Sequence, residues 1–426
     1  MLIYLSLAIF LAAYGLIASE KFNRAAIVCA GAAAMVIIGA TDGQAAFFSH
    51  ETGIDWNVIF LLLGMMIIVS LIHKTGLFEF LAIKAIQLAK GEPKRAFAYI
   101  LVLTAVASAL LDNVTTILLV VPMTLLIAKH LKVAPIPFIL GEVFISNIGG
   151  AATLIGDPPN IIIGLKANLS FNDFLLHMAP IAILATAVII PYLLLVFRKG
   201  LVNQPESRAT IMQLDARSHI VDSALLKKSL IVLVLVLLGF VLHSALHVEP
   251  AMVALLGAGL LVAISRLKAK EYVSGVEWET LVFFAGLFVM VGALVKVGAM
   301  AKFADAISAW VGNDTQLAAG ALVLVSAVVS GIVDNIPYVT SMIPVVQQLN
   351  DSVAGITNDG LWWALALGAD FGGNATIIGA SANVVAIGIA YANGLKISFW
   401  TFAKYGIPVT LITTALALPY VLVRYF

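Results

Sequence analysis

Long apolar runs are the feature that most limits what this chain can fold into. A helix of about 20 apolar residues spans the hydrocarbon core of a bilayer. Only 11% of the 426 residues are charged and 62% are hydrophobic, which is too little charge to cover a soluble domain. The sequence therefore predicts an all-α polytopic membrane protein with about 10–12 membrane segments. The clearest runs are Leu2–Ala18, Ala25–Ala40, Ile181–Phe197, Leu230–Leu246 and Ile407–Val423.

Composition also excludes several functions. A net charge of +1 without a basic block gives no reason to expect a nucleic-acid partner. The single cysteine, Cys29, cannot form an internal disulfide, and no Cys/His spacing typical of a metal site occurs. No nucleophile–base pairing indicates an enzyme, and no P-loop motif for ATP is present. We therefore expect no cofactor. Any active transport would draw its energy from a proton or sodium gradient or from a separate ATPase subunit.

The two halves of the chain repeat one another. An offset of 222 residues places Asp112 and Asn113 on Asp334 and Asn335, and an offset of 223 places Asn160 on Asn383. This internal duplication predicts a first transmembrane repeat over residues 1–197, a polar cytoplasmic linker over 198–228 and a second repeat over 229–426.

The positions of Lys and Arg predict that the repeats are inverted. The loop Thr41–Asp55 has neither residue, whereas Lys84, Lys90, Lys94 and Arg95 cluster together. Lysine and arginine favour the cytoplasmic side of a membrane. For an inner (plasma) membrane, this puts the N-terminus outside and the linker in the cytoplasm. Continuing the count reverses the second repeat, an arrangement typical of secondary transporters.

Each repeat has two interruptions that do not suit an ordinary spanning helix. Asp112–Thr116 and Asp334–Pro337 each interrupt an apolar stretch, and we expect re-entrant hairpins there. Gly149–Asn160 and Gly372–Asn383 are rich in glycine, and the first also contains Pro158-Pro159, so we expect broken helices. Unwound backbone is tolerated at membrane depth only where it is buried in protein or lines a cavity. The four interruptions therefore predict one buried polar site.

The acidic residues at these interruptions have two interpretations. A charge at the bilayer centre costs at least about 2.5–3.5 kcal/mol, so each acid either carries a proton or ion or caps a half-helix. For Asp157 and Asp370 we favour ion or proton coupling, because neither has an acidic counterpart. Ala380 stands at the position equivalent to Asp157, and Asn147 at the one equivalent to Asp370. Coupling and capping stay open for Asp112 and Asp334, as do proton relay and simple pairing for Glu142.

Polar residues at the same interruptions are candidate substrate ligands, although hydrogen bonding between helices is the plainer reading of such residues. The first repeat offers Asn113, Thr115, Thr116, Gly150, Thr153 and Asn160, and the second offers Asn335, Gly373, Asn374, Thr376, Ser381 and Asn383. No metal ligand set is defined, apart from possible Na⁺ coordination at the helix breaks.

The motifs Leu111–Thr116 and Asn147–Asn160 resemble the ion transporter superfamily. Its members include arsenite/antimonite efflux permeases, the melanosomal P protein and bacterial sodium/proton antiporters. The resemblance covers nearly the whole chain and implies inverted repeats, binding at the hairpin tips and helix breaks, elevator-like alternating access and a homodimer.

Four functional hypotheses follow for a small inorganic solute or ion as the transported species. The leading one is proton-coupled efflux of arsenite or antimonite, whose neutral hydroxide can be held by amide, hydroxyl and backbone groups. The alternatives are a sodium/proton antiporter, a dicarboxylate carrier and a passive channel.

Overall fold

The computed structural model describes residues 1–19, 22–202, 215–312, 314–352 and 359–426. Those residues form 21 α-helices and two short 3-10 turns, and no strand occurs among them. The prediction of an all-α membrane protein is confirmed. The helices of the first repeat are α1 (Leu2–Ala18), α2 (Arg24–Ile37), α3 (Gly43–Phe48), α4 (Trp56–His73), α5 (Leu77–Leu88), α6 (Pro93–Leu110), α7 (Asn113–Leu131), α8 (Ile136–Gly150), α9 (Pro158–Ala167), α10 (Phe171–His177) and α11 (Ala179–Val196).

The second repeat follows the same order. Its helices are α12 (Ser223–Leu246), α13 (Pro250–Ser265), α14 (Ala269–Val273), α15 (Trp278–Lys296), α16 (Ala299–Val311), α17 (Thr315–Ser330), α18 (Asn335–Ser352), α19 (Gly360–Gly372), α20 (Ser381–Ala392) and α21 (Phe399–Tyr425). Seven of the described helices are long and apolar enough to span a membrane: α4, α6, α7, α11, α12, α15 and α21.

The first four helices of each repeat pack together in a unit that we call the frame (α1–α4 and α12–α15). Helix α4 crosses α13, and the equivalent α15 crosses α2. A Cβ at Gly64 would lie 2.7 Å from the Ala254 carbonyl carbon, and one at Gly286 would lie 2.9 Å from the Val28 side chain. Small residues let helix backbones approach this closely in a membrane, so the same crossing occurs in both repeats.

An exposed ion pair joins two elements within the frame. Lys296 Nζ, at the end of α15, donates to Asp42 Oδ2 at 2.6 Å, just before α3. The hydrogen bond from Lys296 lowers the pKa of the Asp42 carboxyl. The pair places the end of α15 beside the start of α3.

The remaining long helices form a second unit, the hairpin unit (α6–α11 and α17–α21), which α5 and α16 connect to the frame. The first hairpin arm lies along the first half of the broken helix, α6 on α8 and α17 on α19. Ser108 Oγ donates to the Ser146 carbonyl at 2.6 Å, and Ser330 Oγ donates to the Ala369 carbonyl at 2.6 Å. Across the repeats, α7 packs on α20 and α18 on α9. These contacts bring both hairpin tips and both helix breaks to one place.

The first hairpin has longer arms than the sequence predicts. The expected arms, Arg95–Leu111 and Ile117–Ala128, are observed as Pro93–Leu110 and Asn113–Leu131. The polar residues after Asp112 are helical because its carboxylate caps α7. Its Oδ1 accepts from the Thr115 amide at 2.7 Å, and its Oδ2 accepts from the Thr115 hydroxyl at 2.6 Å.

Both predicted helix breaks are present. Helix α8 ends at Gly150 and α9 begins at Pro158, while α19 ends at Gly372 and α20 begins at Ser381. Proline at the first helical position suits the start of α9, because the first turn needs no donor there. The predicted linker, 198–228, lies partly outside the described residues, and the two-repeat boundaries stay predictions.

We predict that Gly64→Val destabilises the frame, because the added side chain would separate α4 from α13. Overpacking of this kind costs about 1–3 kcal/mol. Thermal unfolding of the purified protein in detergent should show a lowered midpoint. Gly259→Ala on α13 is the matched control, since a Cβ there meets nothing within 4 Å. Equal midpoints for both variants would contradict the close crossing.

Candidate functional site

Eight buried side chains meet where the hairpin tips and helix breaks converge. All are asparagines and aspartates, and each is at most 2% exposed. We call them the central cluster, and both repeats contribute. The members are Asn113, Asn147, Asp157, Asn160, Asn335, Asp370, Asn374 and Asn383.

Asp157 receives an amide from each hairpin tip. Asn113 Nδ2 donates to Asp157 Oδ2 at 2.6 Å, and Asn335 Nδ2 lies 3.4 Å from both carboxylate oxygens. Asp157 occupies the cap position of α9, yet its side chain makes no capping hydrogen bond. Its carboxylate therefore faces the centre of the molecule, where it bridges the two repeats.

Asn147 connects the repeats a second time. Its Oδ1 accepts from Asn113 Nδ2 at 3.2 Å. Its Nδ2 donates to Asn374 Oδ1 at 3.0 Å and to Asn383 Oδ1 at 2.9 Å. A single amide on α8 thus reaches the tip of one hairpin and the helix break of the opposite repeat.

One asparagine in each repeat holds the unwound backbone. Asn383 Nδ2 donates to the carbonyls of Gly373 at 2.7 Å and Thr376 at 2.8 Å. Asn160 Nδ2 donates to the Thr153 carbonyl at 3.1 Å, with the Gly150 carbonyl at 3.5 Å. Because unwound carbonyls at membrane depth have no water to bond, these amides satisfy the groups that the break releases.

Asp370 is the least satisfied member of the cluster. Asn160 lies beside its carboxyl, but no hydrogen bond of ordinary geometry reaches either oxygen in the described part of the protein. Asn160 Oδ1 and Asn113 Oδ1 also have no partner there, and the amide nitrogen of Asn374 has none. Buried polar groups without partners are costly, so these groups are available to a proton, ion or solute that could satisfy them.

Asp334 at the second hairpin tip is bonded differently from its counterpart Asp112. Its Oδ2 accepts from the Ser381 hydroxyl at 2.6 Å, and its Oδ1 accepts from the Ile336 amide at 3.0 Å. Arg24 Nη1 lies 3.3 Å from Asp334 Oδ2 and donates to Ser381 Oγ at 2.9 Å. Asp334 therefore caps its helix and also forms an ion pair.

Several predicted ligands lie beside the cluster instead of within it. Thr153 Oγ1 donates to the Ala109 carbonyl at 2.6 Å, and Thr376 Oγ1 donates to the Gly331 carbonyl at 2.7 Å. These threonines tie each helix break to its hairpin. Thr115 bonds the Asp112 cap, and Thr116 is buried with an unpartnered hydroxyl.

Glu142 lies apart from the cluster on α8. It is fully buried, and the Thr124 hydroxyl of α7 donates to its Oε1. Its Oε2 has no partner among the described residues. The contact with Thr124 matches the pairing interpretation, and relay of protons by Glu142 stays a prediction.

A cavity of about 1350 Å³ separates the frame from the hairpin unit at one end of the molecule. Asp55, Lys166 and Pro250 line its wall, and Thr340 of α18 and Gly292 of α15 also line it. Lys166 Nζ of α9 pairs there with Asp55 Oδ2 at 3.1 Å. The cavity therefore opens where α4 and α13 begin. Arg24 lies at the opposite end of the frame.

Inverted helical repeats that place hairpin tips and helix breaks around a buried polar cluster define a secondary transporter. The comparisons with known proteins agree. The model of the CitMHS citrate transporter family matches residues 14–368, and the chain belongs to this family within the ion transporter superfamily. It is not an enzyme family.

The relatives are transporters and membrane proteins. The chain is 49% identical over 426 residues to an uncharacterized transporter of Mycobacterium tuberculosis (strain ATCC 25618 / H37Rv), with 99% of both chains covered. It is 33% identical over 497 residues to the P protein of Homo sapiens, covering 98% of this chain and 59% of that one. The crystal structure of the Alcanivorax borkumensis YdaH transporter shares the fold, with a TM-score of 0.56, 15% identity, and coverage of 91% of this chain and 87% of that one.

Two residues of the site do not stand out in the sequence. Asn147 is visible there only as the counterpart of Asp370, and nothing in a run of apolar residues shows that its amide links both repeats. Arg24 falls with the cytoplasmic loops when charges are counted, but its guanidinium reaches the hairpin tip. A loop arginine just before a short apolar helix was the available signal.

We predict that Asn383→Ala destabilises the protein by about 2–4 kcal/mol, because the Gly373 and Thr376 carbonyls would lose a buried donor. A fall in the thermal midpoint in detergent measures this loss. Asn393→Ala is the control, since its exposed amide bonds only the Ile389 carbonyl of its own helix. A change at Asn393 as large as that at Asn383 would contradict the bracing role.

Proposed function

We propose that the protein exchanges a small cation, most simply Na⁺, for protons, and that Asp157 and Asp370 bind the exchanged ions. The observation that carries the proposal is the pair of buried carboxyls in one cluster, one of which, Asp370, accepts no hydrogen bond of ordinary geometry from the described residues. Asp157 and Asp370 lie within electrostatic range of each other. Two such carboxylates cannot both stay charged in a low-dielectric site without a cation.

The unpartnered oxygens support a site that alternates between a proton and a metal cation. Asp370, Asn160 and Asn113 present oxygens that lack donors among the residues that the structure describes. A proton on Asp370 would supply the donor that Asn160 Oδ1 lacks. A Na⁺ ion among the same oxygens would satisfy them as hard ligands, which carboxylate and amide oxygens are. Binding of either ion excludes the other, and this exclusion is the basis of exchange.

The surrounding charge does not favour a free anion at the centre. Asp112, Asp157, Asp334 and Asp370 are all buried at or beside the cluster, and Arg24 already pairs with one of them. A dicarboxylate or citrate would enter a negative site unless a cation accompanied it. We therefore favour cation exchange over anion transport as the function.

Arsenite efflux is the second candidate, and one observation favours it. Within the described residues, the cluster offers neutral donors and acceptors without partners: the amide nitrogen of Asn374 and the amide oxygens of Asn113 and Asn160. A neutral trihydroxide needs donors and acceptors together. In this case Asp157 or Asp370 would carry the coupling proton and the asparagines would hold the solute.

Ion-gradient coupling through these carboxyls would make an ATPase subunit unnecessary. A homodimer, elevator-like motion, an inner-membrane location and an outside N-terminus stay predictions.

The direct test is transport by purified protein in liposomes. A pH-sensitive dye inside the liposomes should report a pH change on addition of Na⁺, while arsenite uptake under a proton gradient tests the second candidate. Citrate with and without a divalent cation tests the anion reading. No Na⁺-dependent pH change beyond that of empty liposomes would overturn the proposed cation exchange, and a response to arsenite or citrate alone would favour that alternative.

We predict that Asp157→Asn and Asp370→Asn each abolish the Na⁺-dependent pH change, because asparagine keeps the shape of the carboxyl but cannot carry a proton at these pH values. The dye response should fall to the level of empty liposomes. Asp305→Asn is the matched control, because this exposed carboxylate lies on α16 and only accepts from Gln348. Full exchange activity in both cluster variants would remove the carboxyls from the coupling mechanism.

A further inference from the structure

Arg24 is the one cation that the structure brings into contact with an acidic hairpin tip among the described residues. It begins α2, which packs on α15 and α1 of the frame. Its partners Asp334 and Ser381 belong to the hairpin unit, at the tip of the second hairpin and the start of α20. The ion pair therefore crosses the boundary between the two units.

The Asp334 carboxylate is buried, whereas Arg24 is partly exposed. The side chain of Asp334 is 4% exposed and that of Arg24 is 30% exposed. The Ser381 hydroxyl bonds both groups, so three side chains from α2, the hairpin tip and α20 form one connected contact. Tyr14 of α1 and Asp157 also lie within electrostatic range of Asp334, and Glu277, before α15, lies within range of Arg24.

Among the described residues, the contact has no equivalent in the other repeat. Val28 contacts Gly286 as Ala254 contacts Gly64. By this correspondence, Pro250 is the equivalent of Arg24 in the second repeat. Pro250 lines the large cavity and has no charge to offer to the equivalent hairpin tip, Asp112. Asp112 instead bonds Thr115 of its own helix. The cation is therefore specific to one hairpin and one end of the frame.

The central cluster also lies nearer to the Arg24 end of the frame. At that end Arg24 contacts Asp334, and the next residue along the chain, Asn335, belongs to the cluster. At the other end, Asp55 pairs with Lys166, which is eight residues beyond the start of α9 and so about 12 Å farther along the helix. Movement of the hairpin unit toward the cavity end would draw Asp334 away from Arg24.

We propose that Arg24 is a positioning and release residue that competes with the coupling cation for Asp334 at one side of the membrane. This inference rests on the proposed cation coupling, and it adds Asp334 at the hairpin tip to Asp157 and Asp370 as a carboxyl that binds the exchanged ions. When the hairpin unit reaches the Arg24 end, the guanidinium takes the carboxylate, and a proton or Na⁺ held by Asp334 leaves to water on that side. When the unit moves away, Asp334 is free to bind a cation again. The Lys and Arg distribution predicts the Arg24 side to be cytoplasmic.

The test compares Arg24→Gln and Arg24→Lys in oriented liposomes. With Arg24→Gln, the cation concentration for half-maximal exchange should fall about tenfold on the Arg24 side only, since an adjacent opposite charge has at least this effect. Arg24→Lys should retain most of the wild-type asymmetry. Lys296→Gln is the matched control, because it removes an ion pair that lies wholly within the frame. Equal changes on both sides, or none, would overturn the proposal.

A second measurement does not depend on transport. Infrared spectra of purified Arg24→Gln should show an additional protonated-carboxyl band that is absent from wild type and from the Arg24→Gln/Asp334→Asn double variant. If no substrate is transported but this band appears, the Arg24–Asp334 competition stands and the proposed cation exchange fails. If exchange is observed but neither the band nor the one-sided change appears, Arg24 has a purely structural role.

Discussion

A carboxyl group deep in a membrane protein must find its partners inside the protein, because the hydrocarbon around it offers none. In this chain the requirement is met by asparagine. Asn113 and Asn335 come from opposite hairpin tips to one carboxylate, Asp157, and Asn147 reaches across to Asn374 and Asn383. The two repeats are held face to face at their most polar point, and the glycine crossings of the frame and the serine contacts of the hairpins place the breaks there.

The same cluster explains why the site can be both stable and responsive. The side-chain amides of Asn160 and Asn383 donate to the unwound carbonyls and so fix the geometry of the breaks. By contrast, the Asp370 carboxyl and the amide oxygens of Asn113 and Asn160 have no hydrogen-bond partner in the described part of the protein. A rigid backbone around an incomplete set of hydrogen bonds is suited to binding something small and releasing it again, because binding supplies what the protein lacks without rebuilding the fold.

Much of this arrangement follows from the sequence, since duplication, glycine and proline content and apolar length act locally. They predict the repeats, both helix breaks and the residues of the cluster that flank them. They do not predict that Asp112 would extend its helix back to Asn113, because a cap depends on where one carboxylate points. Arg24 and Asn147 were missed for a related reason. Their partners lie 310 and 227 residues away, and no periodicity connects residues across that distance.

The acidic residue lies at a different position of the helix break in each repeat, and this difference makes the two halves unequal. The first repeat has its carboxylate after the break, at Asp157, with Asn147 before it. The second has its carboxylate before the break, at Asp370, with Ala380 at the later position. Each half thus carries its acidic residue at a different one of the two positions, and the two residues meet in a single cluster. Neither half paired with its own copy would reproduce that combination, so the site needs both halves.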